Sequence, residues 1–229
     1  MRSVEEMAPP EGTRRTRLNA AQRRESILAA AAEVFSAAGY RAGKVSDVAA
    51  LVGVSEPVIF QNFGSKAALF AAVVDRVADD VRAELERLAG RPGSAAGLLA
   101  QALEPGHLQG DLHGDLQGDL HGPPGAGLHA HGFGSHGVLF SDAFALIGEP
   151  ELTEAARRAA RTIADHLADL IRRGQADGDI RADTDPEPAA WLLLSVLSTR
   201  AFRAVVTPGH DRVETGVTAL ALRLLAPGD

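Results

Sequence analysis

The chain has no cysteine, which excludes disulfides, thiolate metal sites and cysteine nucleophiles and fits a reducing, cytoplasmic setting. Aromatic residues make up only 4% of it, and lysine occurs only at Lys44 and Lys66, against 21 arginines. The β-branched and aromatic enrichment that strands draw on is missing. No apolar run approaches the roughly 20 residues that span a bilayer, so no membrane partner is expected. No apolar stretch follows Met1-Arg2-Ser3-Val4-Glu5-Glu6, so the start does not read as a signal peptide. What is abundant is alanine and leucine, 42 and 27 of 229 residues. Both lose little on entering a helix, so the expected fold class is all-α. With 45% hydrophobic residues there is material for a core.

Positive charge is also short overall: the formal net charge is −7, which taken whole argues against a nucleic-acid partner. Its distribution says otherwise. Residues 12–66 carry eight basic and four acidic side chains, whereas 67–229 carry fourteen basic and twenty-three acidic ones. A basic N-terminal quarter is joined to an acidic remainder.

Residues 1–18, with Pro9-Pro10 and Arg14-Arg15-Thr16-Arg17, read as a flexible arm ending in a basic cluster. Asn19 and Gln22 fit a capping box that opens a helix, and Gly39 is placed to stop it. A short helix follows from Val45 to Leu51. Ser55 is placed to cap a third helix, with Pro57 tolerated in its first turn, and Gly64 to end it. Ser65 is placed to cap a long fourth helix whose stripe is Phe70, Val73, Val74, Val77, Val81, Leu85 and Leu88, broken at Gly90. A fifth helix is expected over about 94–104 and others over 138–148, 152–174, 186–206 and 211–226.

Residues 107–137 stand apart. They hold nine glycines, six of the eight histidines and three Gly-Asp-Leu repeats, and read as a long loop. His107, His113, His121, His129, His131 and His136, with Asp111, Asp115 and Asp119, raise a metal-binding or metal-sensing protein as the alternative function. Their spacing matches no closed site, and low-complexity expansion explains them as well.

The specific signal lies in 45–63. A helix-turn-helix needs a small residue in its first helix where the second packs close, a glycine four residues on for the turn, and a branched apolar residue six further. Ala49, Gly53 and Ile59 meet that spacing, and Val48, Val52 and Val54 surround them. An amphipathic helix precedes the segment, and Phe60-x-x-Phe63-Gly-Ser-Lys66 follows it.

With Ile27-Leu28-Ala29-Ala30-Ala31, Phe35, Gly39-Tyr40, Val45-x-Asp47-Val48-Ala49, Gly53-Val54-Ser55, Phe60-x-x-Phe63 and Ser65-Lys66-x-x-Leu69, the chain resembles the TetR family of bacterial transcriptional regulators. The resemblance runs from Arg24 to Phe70, about a fifth of the chain. It implies an N-terminal three-helix DNA-binding domain with a helix-turn-helix at 19–66. A larger helical domain for ligand binding and dimerisation, 67–229, would follow. It also implies a homodimer on a palindromic double-stranded DNA operator, released by a small-molecule effector, most often as a repressor. The chain departs from the family at Gly43 and Lys44 (usually Thr or Ser nearby), at Phe60 (usually Tyr) and at Glu56-Pro57-Val58 (often Lys-Gly-Thr).

Gln61 is the best candidate base reader, since its amide can pair bidentately with adenine, with a plain exposed glutamine as the competing role. Ser55 caps the recognition helix and offers a hydroxyl to phosphate; Val58 meets a thymine methyl or the core. Asn62 is either a base or phosphate contact or a polar helix end. Arg41, Lys44, Ser46 and Lys66 are candidate phosphate contacts, and Arg17 with Arg14 and Arg15 a minor-groove arm. For the interface between subunits the candidates are Leu194, Leu197, Ala201, Leu220 and Leu224, with intramolecular core as the competing role. For the effector pocket they are Phe140, Phe144, His166 and Trp191, each also a plain packing residue. No glycine-rich cofactor loop and no paired acid/base motif appears, so neither cofactor nor enzymatic activity is expected.

Overall fold

A computed structural model describes residues 19–104 and 149–227, and these form helices joined by short turns. Asn19 and Gln22 cap α1 (Ala20–Ala42) reciprocally, each side chain bonded to the other's backbone N–H at 2.8 and 3.0 Å. The expected stop at Gly39 is a kink: its φ is 73°, and one further turn runs on to Gly43. Helix α2 (Val45–Val52) ends on Gly53 in the left-handed region at φ 71°. Helix α3 (Glu56–Phe63) follows after two residues, and α4 (Lys66–Ala89) starts on the Ser65 cap, whose hydroxyl accepts from the Ala68 N–H at 2.9 Å. The whole predicted stripe of α4 is buried.

The body is built on α4 and α6 (Pro150–Asp177), which pack along one another. Helix α5 (Ala95–Ala102) is capped by Ser94 and, across the fold, by Asp179, whose carboxylate accepts from the Ala96 N–H at 3.1 Å. Helices α7 (Pro186–Ser198), α8 (Arg200–Val206) and α9 (His210–Leu225) complete the described chain. Two boundaries differ from the sequence reading. Gly174 does not stop α6, which continues to Asp177; its bare Cα admits Ile180, against whose Cδ1 a Cβ would stand at only 2.5 Å. The single helix expected over 186–206 breaks at Thr199. There the Ser195, Ser198 and Thr199 hydroxyls all donate to carbonyls of the preceding turn, competing with the helical pattern.

One hydrophobic core runs through the molecule, from Ile27 and Phe35 in α1 to Leu225 in α9. The sequence-predicted loop at 107–137, its histidines and the helix at 138–148 lie outside the described residues, as does the arm 1–18.

Candidate nucleic-acid interface

Helices α1, α2, α3 and the start of α4 form a unit around an aromatic cluster. The Phe35 ring meets Phe70 edge-on at 5.2 Å, and Tyr40 lies 5.0 Å from Phe70. Gly43 is where α2 enters: a Cβ there would stand 2.7 Å from Phe35 Cδ1 and 2.8 Å from the Gly39 carbonyl. The hydroxyl-bearing residue usual in that region therefore has no room at 43. Ala49 and Ile59 are buried together with Val48 and Phe63, as the motif spacing predicts for a close α2–α3 crossing.

Two cations tie this unit together. The Arg24 guanidinium sits 4.1 Å from the Phe63 ring centre and donates to the Asn62 carbonyl at 2.6 Å, pinning α3 to α1. The Lys66 ammonium sits 4.8 Å from the Tyr40 ring centre and donates to the Arg41 carbonyl at 3.3 Å, pinning the α1–α2 junction to α4. Partial burial lowers the Lys66 pKa. Sequence reasoning missed the role of Arg24; its only signal was a position one turn before the apolar stripe of α1.

The sequence-predicted DNA contacts fall into two groups. Arg41, Lys44, Ser46, Ser55 and Gln61 are exposed. The Ser55 hydroxyl makes no capping bond, contrary to expectation. Pro57 has removed one first-turn donor, and the Val58 N–H bonds to the Ser55 carbonyl instead, at 3.0 Å. Ser55 itself is exposed. Val58, Asn62 and Lys66 are half-buried. The Asn62 amide donates to the Val58 carbonyl at 2.7 Å, which is the behaviour of a polar helix end. Arg17 lies outside the described residues, as do Arg14 and Arg15.

The pocket and interface candidates sort differently. Phe140 and Phe144 are outside the described residues. His166 bridges Thr162 and Glu86 on the α6–α4 surface, and Trp191 is 41% exposed. Neither lines a cavity of about 460 Å³ between α5, α8 and α9, walled by Leu103, Ala204, Ala219 and Leu222 around Arg200 and Glu214. In that wall Glu214 is only 5% exposed and takes bonds from both Arg200 (3.0 Å) and Arg203 (2.5 Å). Leu194 and Leu197, at 5% and 2% exposure, belong to the chain's own core rather than to a free face. Leu220 and Leu224 are 56% and 57% exposed. Trp191, Leu192, Phe202 and Val206 extend the exposed apolar surface of α7 to α9.

Among the described residues there is no group of three or more His, Asp or Glu that would hold a metal, and no single helix is long and apolar enough to cross a membrane.

The sequence matches the family model for bacterial regulatory proteins of the tetR family over residues 27–73. It also matches a Tetracyclin repressor-like C-terminal domain model over 148–220. It is 43% identical over 77 residues to the HTH-type transcriptional activator FasR of Mycolicibacterium smegmatis. That match spans 33% of this chain and 35% of the relative, about a third of the relative's length. The fold is similar to a TetR-family transcriptional regulator from Agrobacterium tumefaciens, with TM-score 0.67, 16% identity, and 91% of this chain and 100% of that one covered. It is also similar to the Bacillus subtilis regulator FadR, solved in complex with stearoyl-CoA, with TM-score 0.63, 16% identity, and 88% and 98% covered. At such identities the two structures speak for the fold alone. A helix-turn-helix held by its own aromatic cluster, an all-helical body behind it, and matches to family models at both ends lead to one conclusion: the chain belongs to the TetR family of bacterial transcriptional regulators.

Proposed function

We propose that the protein is a ligand-responsive repressor that binds a palindromic operator as a homodimer in the cytoplasm. Residues 19–66 would read DNA, and 67–229 would bind the effector and the second subunit. The observation that carries this reading is the locked α2–α3 unit, which leaves Gln61, Ser55, Arg41 and Lys44 exposed. Helix α3 enters the major groove, and Gln61 pairs with a base. Arg41, Lys44, Ser46 and Ser55 hold phosphates on either side.

One recognition helix covers only a few base pairs, so two subunits are needed for useful affinity. The exposed Leu220, Leu224, Phe202 and Trp191 supply the apolar face for the second copy. The cavity between α5, α8 and α9 is the candidate effector site. Helix α5 packs on both α4 and α6. Helix α4 runs straight out of the reader, and the Ser65 hydroxyl donates to Glu151 at the start of α6, at 3.3 Å. A ligand that favours a shifted α5 therefore changes the tilt of α4 and the spacing of the two readers. The stearoyl-CoA bound to the FadR neighbour makes acyl thioesters a reasonable first screening set.

Footprinting and in vitro transcription on the DNA upstream of the protein's own gene test the reading. Two protected half-sites one helical turn apart, about 10 base pairs, with reduced transcript, are expected. A single protected site would overturn the dimer, and increased transcript would replace the repressor with an activator, as the matched relative is named. Unchanged binding by Gln61→Ala combined with Lys66→Ala would overturn the site.

A further inference from the structure

The recognition helix carries no cation. The exposed residues of α3 are Glu56, Pro57, Phe60 and Gln61. At positions i, i+1, i+4 and i+5 they share one face of the helix. Two cations beside α3 are engaged in packing: Arg24 lies on the Phe63 ring and donates to the Asn62 carbonyl at the end of α3, and Lys66 lies on Tyr40 and donates to the Arg41 carbonyl. Asn62 is bonded back to its own helix. The commonest direct contact, a basic side chain on guanine O6 and N7, therefore has no donor on α3.

What this face presents instead is one carboxylate, one amide and two apolar groups. A carboxylate only accepts hydrogen bonds. In the major groove the amino donors are cytosine N4 and adenine N6, and an acceptor without a donor suits cytosine. Gln61 donates and accepts, which suits adenine N7 and N6. Phe60, 40% exposed where a tyrosine hydroxyl is usual, has only carbon to offer, and the thymine methyl is its partner. The Glu56 carboxylate sits on the first turn of α3, where the helix dipole favours it. It also repels phosphate, so it weakens binding wherever no cytosine compensates.

We infer that Glu56, Phe60 and Gln61 set an operator code in which α3 makes no arginine–guanine contact: cytosine for Glu56, thymine for Phe60, adenine for Gln61. This rests on the proposal above that α3 is the recognition helix. Glu56 and Gln61 are separated by five residues, about 7.5 Å along the axis, which is about two base-pair steps. Each half-site should fix one C·G and one A·T pair about two steps apart, with a thymine beside the A·T determinant. Glu56 acts chiefly by rejecting other sequences.

The test is selection of randomised duplexes by the full-length protein and by Glu56→Ala, Phe60→Ala and Gln61→Ala. Glu56→Ala should lose the preference at the C·G position alone and bind unrelated DNA several-fold more tightly. Gln61→Ala should lose at least about fivefold discrimination at the A·T position. A readout on the unaltered protein avoids any folding defect in the variants. Replacing the half-site thymine by uracil removes only the methyl and should weaken binding several-fold, and Phe60→Ala should be insensitive to that change. Preferences unchanged in Glu56→Ala, or a uracil site bound as well as the thymine site, would overturn the code while leaving α3 as the reader. Failure of the unaltered protein to select any sequence would overturn both.

Discussion

The reader and the body handle charge in opposite ways. In the reader, the cations Arg24 and Lys66 are folded onto aromatic rings and backbone carbonyls, so they hold the unit together. The outward face of α3 is left with one acid, one amide and apolar groups. In the body, Arg200 and Glu214 are buried and joined by part-buried Arg203 in one network, while large apolar side chains on α7 to α9 (Trp191, Leu192, Phe202, Val206, Leu220 and Leu224) are exposed. In each region the fold engages charged groups that a simple picture would leave free at the surface. The lesson is that net charge, even divided by region, does not locate a binding face. What decides is which charged groups the fold has already engaged.

The apolar face of the body yields the largest expected effect. Leu220→Glu with Leu224→Glu puts two carboxylates on the face proposed for the second subunit. Both side chains are more than half exposed, so the fold should survive, and circular dichroism should show unchanged helix content. Sedimentation should show a monomer. Operator affinity should fall by about a hundredfold or more, since the second reader no longer binds intramolecularly. A dimer that persists would mean the face serves something else.

The buried network comes next. Glu214→Ala leaves two arginines without their shared carboxylate, and we expect a loss of about 3–5 kcal/mol in urea unfolding. Burial pushes the Glu214 carboxyl up, but bonds from Arg203 and Arg200 outweigh it and hold the carboxyl below its ordinary range. The folded pKa is thus lower than the unfolded one. The stabilisation is present above the unfolded carboxylate pKa, about 4.3, and is lost as pH falls through the folded value. Unfolding midpoints between pH 7 and pH 3 should therefore drop more steeply for the unaltered protein than for Glu214→Gln.

In the reader the corresponding test is steric. Gly43→Ala drives a methyl group into Phe35 and the Gly39 carbonyl, neither of which is a flexible chain end. It should cost about 1–3 kcal/mol and weaken DNA binding by displacing α2. The same substitution at exposed Gly216, with nothing within 4 Å of its Cβ, serves as the control.

These contrasts also explain what the sequence disclosed. The reader was legible because its determinants are close in sequence: the Asn19–Gln22 box, Ala49-x3-Gly53-x5-Ile59 and the Ser65 cap are all local. The stripe of α4 was legible for the same reason. The Arg24–Asn62 clamp and the Arg200–Leu103 contact join residues 38 and 97 positions apart, and no periodicity announces such pairs. Leu194 and Leu197 show the same limit. Helix α7 is apolar nearly all round, so its sequence did not say which side faces the protein's own core. The extension of α6 past Gly174 depended on Ile180 folding back over a bare Cα, again a tertiary fact.

The smallest effect separates two lysines that look alike in sequence. Lys44 is exposed at the entry to α2; its backbone carbonyl starts the helix, but its side chain makes no capping bond there. If it neutralises a phosphate, Lys44→Ala should lower the slope of log affinity against log salt by about 0.9. Lys66 instead bonds the Arg41 carbonyl and lies over Tyr40. Its replacement by alanine should leave the slope unchanged, lower stability by about 0.5–1 kcal/mol through the lost ring contact, and weaken binding evenly across sequences. Anisotropy titrations from 50 to 300 mM salt distinguish the two. Equal slope changes would make Lys66 a phosphate contact after all. An unchanged slope for Lys44→Ala would remove the one lysine that the fold leaves free to meet the backbone beside α2.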